Sequence, residues 1–291
     1  MIVKSLKLKN FRNYNLLNLE FDAATNIFYG DNAQGKTNIL ESIYLSGTTK
    51  SHRGTKDRDL IQFGHEEAHI ETVVEKNGVP FQIDIHLKKN SPKGIAINKI
   101  PIRKASELFG IINIVFFSPE DLNIIKNGPA ERRRFIDLEL SQLDKLYLSD
   151  LSNYNRILNQ RNKLLKDICY REDLLETLEI WDIQLSQYGN KIIERRKQFI
   201  EQVNDIISEV HSKLTGGREQ LKLYYEPGIG NLEFEKALQK HRERDIRMKS
   251  TSVGPHRDDI CFMTNDLDIR KFGSQFQTLL LFREVHSCRR S

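Results

Sequence analysis

Apolar residues recur along this chain with two different periods. Over residues 2–29 they follow a period of two, with Leu17, Leu19 and Phe21 alternating with polar neighbours. The same period returns at Ile70, Thr72 and Val74, and again at Val79, Phe81, Ile83, Ile85 and Leu87. Successive strand residues face opposite sides, so this pattern predicts strands with one buried face. Asn77-Gly78 separates the two later runs, and that dipeptide tolerates the positive φ values of a tight hairpin turn. A further short strand pair is expected across residues 95–102. Ile111-Ile112-Asn113-Ile114-Val115-Phe116-Phe117 is almost continuously apolar, as a strand covered on both faces would be. From about residue 121 to 245 the spacing changes to three and four. Leu178, Trp181, Leu185, Tyr188, Ile192, Phe199, Val203, Ile206, Val210 and Leu214 predict a helix of about ten turns, with Arg196 interrupting the stripe. That stripe reads as core packing or a helix–helix seam. Past Gly216-Gly217 the alternation resumes at Leu221, Leu223 and Tyr225. A polar, basic helix over 233–247 follows. The turn-rich Thr251-Ser252-Val253-Gly254-Pro255-His256-Arg257-Asp258-Asp259 then leads into Ile260-Cys261-Phe262-Met263. The class is α/β.

One stretch carries chemistry on its own. Gly30-Asp31-Asn32-Ala33-Gln34-Gly35-Lys36-Thr37 is a complete G-x-x-x-x-G-K-T phosphate-binding loop. Ile27-Phe28-Tyr29 before it and Asn38-Ile39-Leu40-Glu41-Ser42-Ile43 after it predict the strand–loop–helix setting that the motif requires. Two glycines let the backbone curl until successive amides point at phosphate oxygens. The helix adds its unpaired amides and positive dipole end. Lys36 suits the β- and γ-phosphates, and the Thr37 hydroxyl suits Mg²⁺. The expected ligand is a nucleoside triphosphate.

The 291 residues suit one large domain or two lobes, and 38% apolar with 29% charged residues is a globular composition. No apolar run approaches the roughly 20 residues of a membrane span. Met1-Ile2-Val3-Lys4-Ser5-Leu6-Lys7 alternates like a strand and has no signal-peptide core, which predicts a cytoplasmic protein. Cys169, Cys261 and Cys288 form no disulfide or metal spacing, in keeping with a reducing compartment. The net charge of +5 permits nucleic-acid binding without demonstrating it.

Several smaller features admit two readings each. In Lys7-Leu8-Lys9-Asn10-Phe11-Arg12-Asn13-Tyr14, basic residues interleave with aromatics, which fits a nucleic-acid or adenine contact as well as a solvated strand edge. Ser118-Pro119-Glu120-Asp121 fits a helix N-cap, or an acidic pair that senses Mg²⁺ or water near the γ-phosphate. Arg132-Arg133-Arg134 and Gln160-Arg161-Asn162-Lys163 read on charge alone as solvated helix faces with local ion pairs. His256 beside Asp258 and Asp259 has the residue types of a metal site, although a loop histidine is more often simply hydrogen-bonded.

Taken together, these stretches resemble the RecF family of bacterial DNA-repair ATPases, related to the ATPase heads of chromosome-maintenance proteins and ABC transporters. The matching residues are Leu8-Lys9-Asn10-Phe11-Arg12-Asn13-Tyr14, residues 30–38, Lys50-Ser51-His52-Arg53 and Phe117-Ser118-Pro119-Glu120-Asp121-Leu122. Further matches are Arg132-Arg133-Arg134-Phe135-Ile136-Asp137, Gln160-Arg161-Asn162, residues 254–259 and Phe272-Gly273-Ser274-Gln275. They run in family order over residues 1 to 275. The resemblance implies a P-loop ABC/SMC-type ATPase head with an antiparallel β subdomain and an inserted helical lobe. Its expected parts are an ATPase lobe over 1–117, a helical lobe over 118–247, and a return to the ATPase lobe over 248–291. It implies ATP and Mg²⁺ as cofactors, with Gly30, Asp31, Asn32, Ala33, Gln34, Gly35, Lys36, Thr37 and Asn38 around the nucleotide. Gly273, Ser274 and Gln275 match the start of the signature loop that covers the partner's ATP, so an ATP-dependent homodimer is implied. That dimer would clamp double-stranded DNA next to single-stranded DNA at gap junctions. With RecO and RecR it would help load the recombinase and induce the SOS response. Arg12 and Arg53 are implied to lie near the nucleotide or the clamp surface.

After Gln275 the resemblance breaks. The family signature continues with a second glycine and Gln-Gln-Arg, whereas this chain reads Phe276-Gln277-Thr278-Leu279-Leu280-Leu281-Phe282-Arg283-Glu284. The strand bearing the Mg²⁺-binding aspartate, the acid that polarises water and the later switch histidine have no counterparts here. The expectation is a truncated or frame-shifted end, with no catalytic residue assignable and ATP hydrolysis weak or absent. An uncovered sheet edge prone to aggregation is expected as well. The alternative function is a nucleotide-binding module without turnover. A kinase or transporter-associated ATPase would share the loop, but not the succession of sheet, helical lobe and late Gly273-Ser274-Gln275.

Overall fold

The computed structural model describes residues 1–118, 123–230 and 232–272. The chain forms two compact units, Met1–Phe116 and Phe117–Ser291.

The first unit is built on a six-stranded antiparallel sheet. Its strands are β1 (Ile2–Phe11), β2 (Tyr14–Glu20), β3 (Glu67–Lys76), β4 (Val79–Lys88), β5 (Gly94–Ile97) and β6 (Ile100–Pro101), in the order β2-β1-β3-β4-β5-β6. The expected hairpin is present: β3 and β4 pair from Lys76↔Val79 to Glu67↔Lys88, and Asn77 and Gly78 turn the chain at φ 52° and 78°. Two positive values in succession match the right-handed twist of the flanking strands. Register puts Ile70 opposite Ile85 and Thr72 opposite Ile83 on the inner face, with His69 opposite His86 and Glu71 opposite Asp84 on the outer one. Helix α1 (Lys36–Thr48) covers the inner face, where Ile39 and Leu45 join Leu6, Leu8, Ile70, Ile83 and Ile85 in one core. Ser46 and Thr72 share a buried hydroxyl–hydroxyl hydrogen bond of 2.8 Å, which keeps both polar groups paired inside that core.

Two expected strands are not formed. Residues 25–29 form no strand or other regular structure, and Ile27 and Tyr29 are 78% and 91% exposed. Phe28 turns inward, edge-on to Phe21 at 6.2 Å. Residues 113–118 likewise lack regular structure, and Ile112 just before them makes a single parallel bridge with Phe109. Ile112 is buried and Ile114 half-buried, and both lie where a Cβ on Gly47 of α1 would collide with them. Val115 and Phe117 point out. The apolar alternation is therefore real, but a strand also needs a neighbour for its amides and carbonyls. Among the described residues no strand lies alongside either segment.

The second unit is mainly helical. It contains α2 (Asn123–Lys126), α3 (Pro129–Leu143), α4 (Lys145–Asp167), α5 (Leu178–Thr215), α6 (Phe234–Met248) and α7 (Ile269–Phe272), with a sheet of β7 (Leu221–Glu226), β8 (Asp259–Thr264) and β9 (Leu267–Asp268). Helix α5 has 38 residues, in agreement with the long apolar stripe, and ends where Gly216 takes φ 62°. Asp144 caps α4 by accepting from the amides of Leu146 and Tyr147 at 2.8 and 3.2 Å. The segment expected to return to the ATPase lobe from residue 248 belongs, over its described part, to this unit, with β8 paired to β7.

The basic clusters are solvated only in part: Arg134, Gln160 and Lys163 are exposed as expected, whereas Arg132 and Arg161 turn inward. Arg161 is 0% exposed and Arg196 is 2% exposed. Arg161 donates to Asp182 at 2.7 Å, and to Asp245 and Thr251 at 2.8 Å each. Arg196 bridges Asp137 (2.7 Å), Asp258 (2.8 Å) and the Pro255 carbonyl (2.8 Å). Arg132, also buried, grips Asp259 at 2.5 and 3.1 Å. The apparent break in the α5 stripe is thus a buried ion-pair centre. A guanidinium stays charged inside a protein only when carboxylates and carbonyls replace its water.

Candidate phosphate-binding site

The loop ahead of α1 is shaped by three backbone positions. Gly30 and Gly35 take φ 137° and 95°, and Ala33 takes 65°. At Gly35 a Cβ would lie 2.6 Å from the Asn13 amide atoms and 2.7 Å from the Tyr14 hydroxyl, so only glycine fits. Those two side chains brace the loop, since Asn13 Nδ2 and Tyr14 Oη each donate to the Gln34 carbonyl at 3.3 Å. Asn38 Nδ2 donates to Asn13 Oδ1 at 2.8 Å, which closes the brace from the helix side.

The start of α1 is left open for an anion. The Gly35 carbonyl accepts from the amides of Asn38 (2.8 Å) and Ile39 (3.3 Å). The amides of Lys36 and Thr37 precede any intrahelical acceptor, no side chain caps this end, and the first turn carries no acidic residue. Helix dipole and free donors therefore both point at the curled loop. Lys36 Nζ rests on the carbonyls of Gly30 (2.7 Å) and Asp31 (2.6 Å), at the loop's own mouth. Asp31, Asn32, Ala33, Gln34 and Thr37 are exposed. A glycine loop with no room for a Cβ at Gly35, an uncapped helix start, a loop lysine and an exposed threonine hydroxyl form a donor set that fits a polyphosphate with its Mg²⁺. Residues 30–38 run through this loop and into the first turn of α1. Gly273, Ser274 and Gln275 lie outside the described residues, as do Pro119, Glu120 and Asp121.

Arg12 and Arg53 converge on a residue that sequence reasoning missed. Glu41, one turn after Thr37 on α1, is fully buried. It accepts from Arg12 Nε and Nη2 at 2.9 Å each and from Ser51 Oγ at 2.5 Å, with Arg53 Nη1 3.9 Å away. Burial alone would raise its pKa. The hydrogen bonds from Arg12 and Ser51, and the charges of Arg12 and Arg53, bring it below the ordinary carboxylate value instead. The available signal was an acid on the inward face of an amphipathic helix, among Ile39, Ser42 and Leu45.

His256 has both ring nitrogens engaged, Nδ1 with the Tyr154 hydroxyl at 2.7 Å and Nε2 with the Thr251 carbonyl at 3.0 Å. Among the described residues no group of histidine, cysteine and acidic side chains could hold a metal ion, and no helix is long and apolar enough to cross a membrane.

With this geometry in place, comparison with known proteins defines the class first. The AAA ATPase domain family model matches residues 1–284. A structure of an SmcHead bound to the C-winged helix domain of ScpA shares the fold at 16% identity and TM-score 0.52, over 99% of this chain and 76% of that one. The fold is that of an ABC/SMC-type ATPase head. The DNA replication and repair protein RecF of Agathobacter rectalis is 64% identical over 277 residues, covering 95% of this chain and 76% of that protein. A solved structure of the recombination mediator protein RecF with ATP, in the RecFOR pathway, matches at 34% identity and TM-score 0.93, over 99% of this chain and 79% of that one. The chain belongs to the RecF family.

Proposed function

We propose that this chain is an ATP-dependent DNA-binding protein of recombinational repair and replication. The observation that carries the reading is the braced glycine loop opening onto the uncapped start of α1. Relatives named DNA replication and repair protein RecF, and the ATP-bound RecF structure, support it.

In this reading the loop amides and those of Lys36 and Thr37 hold the β- and γ-phosphates. Lys36 Nζ leaves the Gly30 and Asp31 carbonyls for phosphate oxygens, and the Thr37 hydroxyl helps hold the metal. Mg²⁺, when bound, neutralises charge shared by the β- and γ-oxygens. Gly273, Ser274 and Gln275 of a second copy cover the γ-phosphate, so that ATP and homodimerisation stabilise one another. Lysines and arginines contact DNA phosphates, which makes binding salt-sensitive and largely indifferent to sequence. RecO and RecR are the partners in the cytoplasm. Titration calorimetry with Mg-ATP, and DNA binding with and without ATP, test the proposal against Lys36→Ala. Wild-type binding that depends on ATP and is lost in Lys36→Ala is expected. Equal behaviour of the two proteins would refute it.

A further inference from the structure

We infer that Glu41 is a positioning residue for the phosphate loop, acting through Arg12 and the Asn13-Tyr14 brace. The inference rests on the nucleotide reading above.

Glu41 is buried at a position where an apolar residue would pack without desolvation cost, on the very helix that the loop starts. Its carboxylate ties together three segments: α1 itself, the turn between β1 and β2 through Arg12, and the loop after α1 through Ser51 and Arg53. Arg12 sits in that turn at φ 54°, a conformation an arginine rarely adopts unless its surroundings impose it. Beyond Glu41, its guanidinium is fixed by the Asp59 carbonyl and Thr55 Oγ1, both at 3.1 Å. Four of its five N–H donors are therefore spent on protein acceptors, so Arg12 serves as an anchor. The next two residues, Asn13 and Tyr14, are the ones that press against Gly35 and hold the Gln34 carbonyl. The path is short and continuous: Glu41 orients Arg12, Arg12 sets the turn, and the turn delivers the two side chains that shape the loop. Asn38, one turn before Ser42, closes the circuit back to Asn13.

Binding of inorganic tripolyphosphate with Mg²⁺ tests this, because that probe reports the loop without a base or sugar. Calorimetry on folded wild type, Glu41→Gln, Asn13→Ala and the double variant gives a double-mutant cycle. Each single change is expected to weaken binding about tenfold, and the double about tenfold rather than a hundredfold, since both break one path. A residue that merely stabilises the fold would lower the unfolding temperature, leave the affinity of the folded protein unchanged, and add independently to Asn13→Ala. Unchanged affinity in Glu41→Gln, or a fully multiplicative double variant, overturns the inference. Should Glu41→Gln not fold, Arg12→Lys keeps the charge but loses the two-pronged contact, and the same non-additivity with Asn13→Ala is expected. A wild type with no Lys36-dependent affinity for tripolyphosphate overturns the nucleotide reading and this inference together. Intact wild-type binding with an unaffected Glu41→Gln overturns the Glu41 inference alone.

Discussion

Lowering the pH from 7 to 5 should remove about 2 kcal/mol of stability from the helical unit through His256 alone. Burial pushes its pKa down from 6.5 to about 4, with the charges of Arg257 and Arg133 adding to the effect against the Thr251 carbonyl. The imidazole is neutral in the fold: Nε2–H donates to Thr251 and Nδ1 accepts from Tyr154, whose own hydroxyl pKa burial drives upward. Between pH 6.5 and 4 the unfolded chain binds a proton that the folded chain refuses, so stability falls as pH falls through this window and is complete above it. Two and a half units correspond to about 3 kcal/mol over the full window, of which about 2 kcal/mol accrues by pH 5. Glu41 and Asp144, whose carboxyl pKa values are lowered, lose their contributions only further into acid. Asp258, raised by burial, acts in the opposite direction and above its ordinary value of 3.8, a contribution that both the wild type and the His256 variant share. The assay is urea unfolding at several pH values, followed by the fluorescence of Trp181, the chain's one tryptophan, which packs against the helical core. His256→Gln keeps an acceptor and a donor but does not titrate. Its stability should vary less between pH 7 and 5 by about 2 kcal/mol. Equal pH dependence in both proteins would refute the reasoning.

Other perturbations have similarly definite outcomes. Lys36→Ala removes a side chain bonded only to exposed loop carbonyls, so thermal unfolding should shift by less than about 0.5 kcal/mol while Mg-ATP calorimetry shows no binding. Gly35→Ala forces a Cβ onto Asn13 and Tyr14 at φ 95°, and should cost about 1–3 kcal/mol in denaturant unfolding along with the loop's phosphate affinity. Asp182→Ala leaves the fully buried Arg161 and its neighbour Arg242 short of a counter-charge, and should destabilise by about 3–5 kcal/mol. Gly189→Ala would drive a methyl into the Phe234 ring, and a loss of about 1–3 kcal/mol is expected in the same measurement.

What the sequence disclosed and what it hid divide along the range of the forces involved. The Asn77-Gly78 turn, the apolar face of α5 and the glycines of the phosphate loop were legible because each depends on residues within a turn or two of itself. Residues 25–29 and 111–117 have the apolar pattern of strands, yet pairing depends on an edge supplied from elsewhere, and composition carries no record of that edge. The buried arginines show the same limit more sharply. Arg132 finds its carboxylate 127 residues away and Arg161 finds one of its two 84 residues away, so a count of nearby charges assigned both to solvent. Glu41 is the most instructive case, because the motif that made the loop legible also drew attention away from its support. A G-x-x-x-x-G-K-T pattern names the residues that face a ligand, whereas the shape of that face is set by Asn13, Tyr14 and the charge pair behind them, 20 to 29 residues distant along the chain. A phosphate loop of this kind is a local motif held by a non-local clamp. Its conformation should therefore respond to substitutions in the β1–β2 turn at least as strongly as to those on the exposed side of the loop itself.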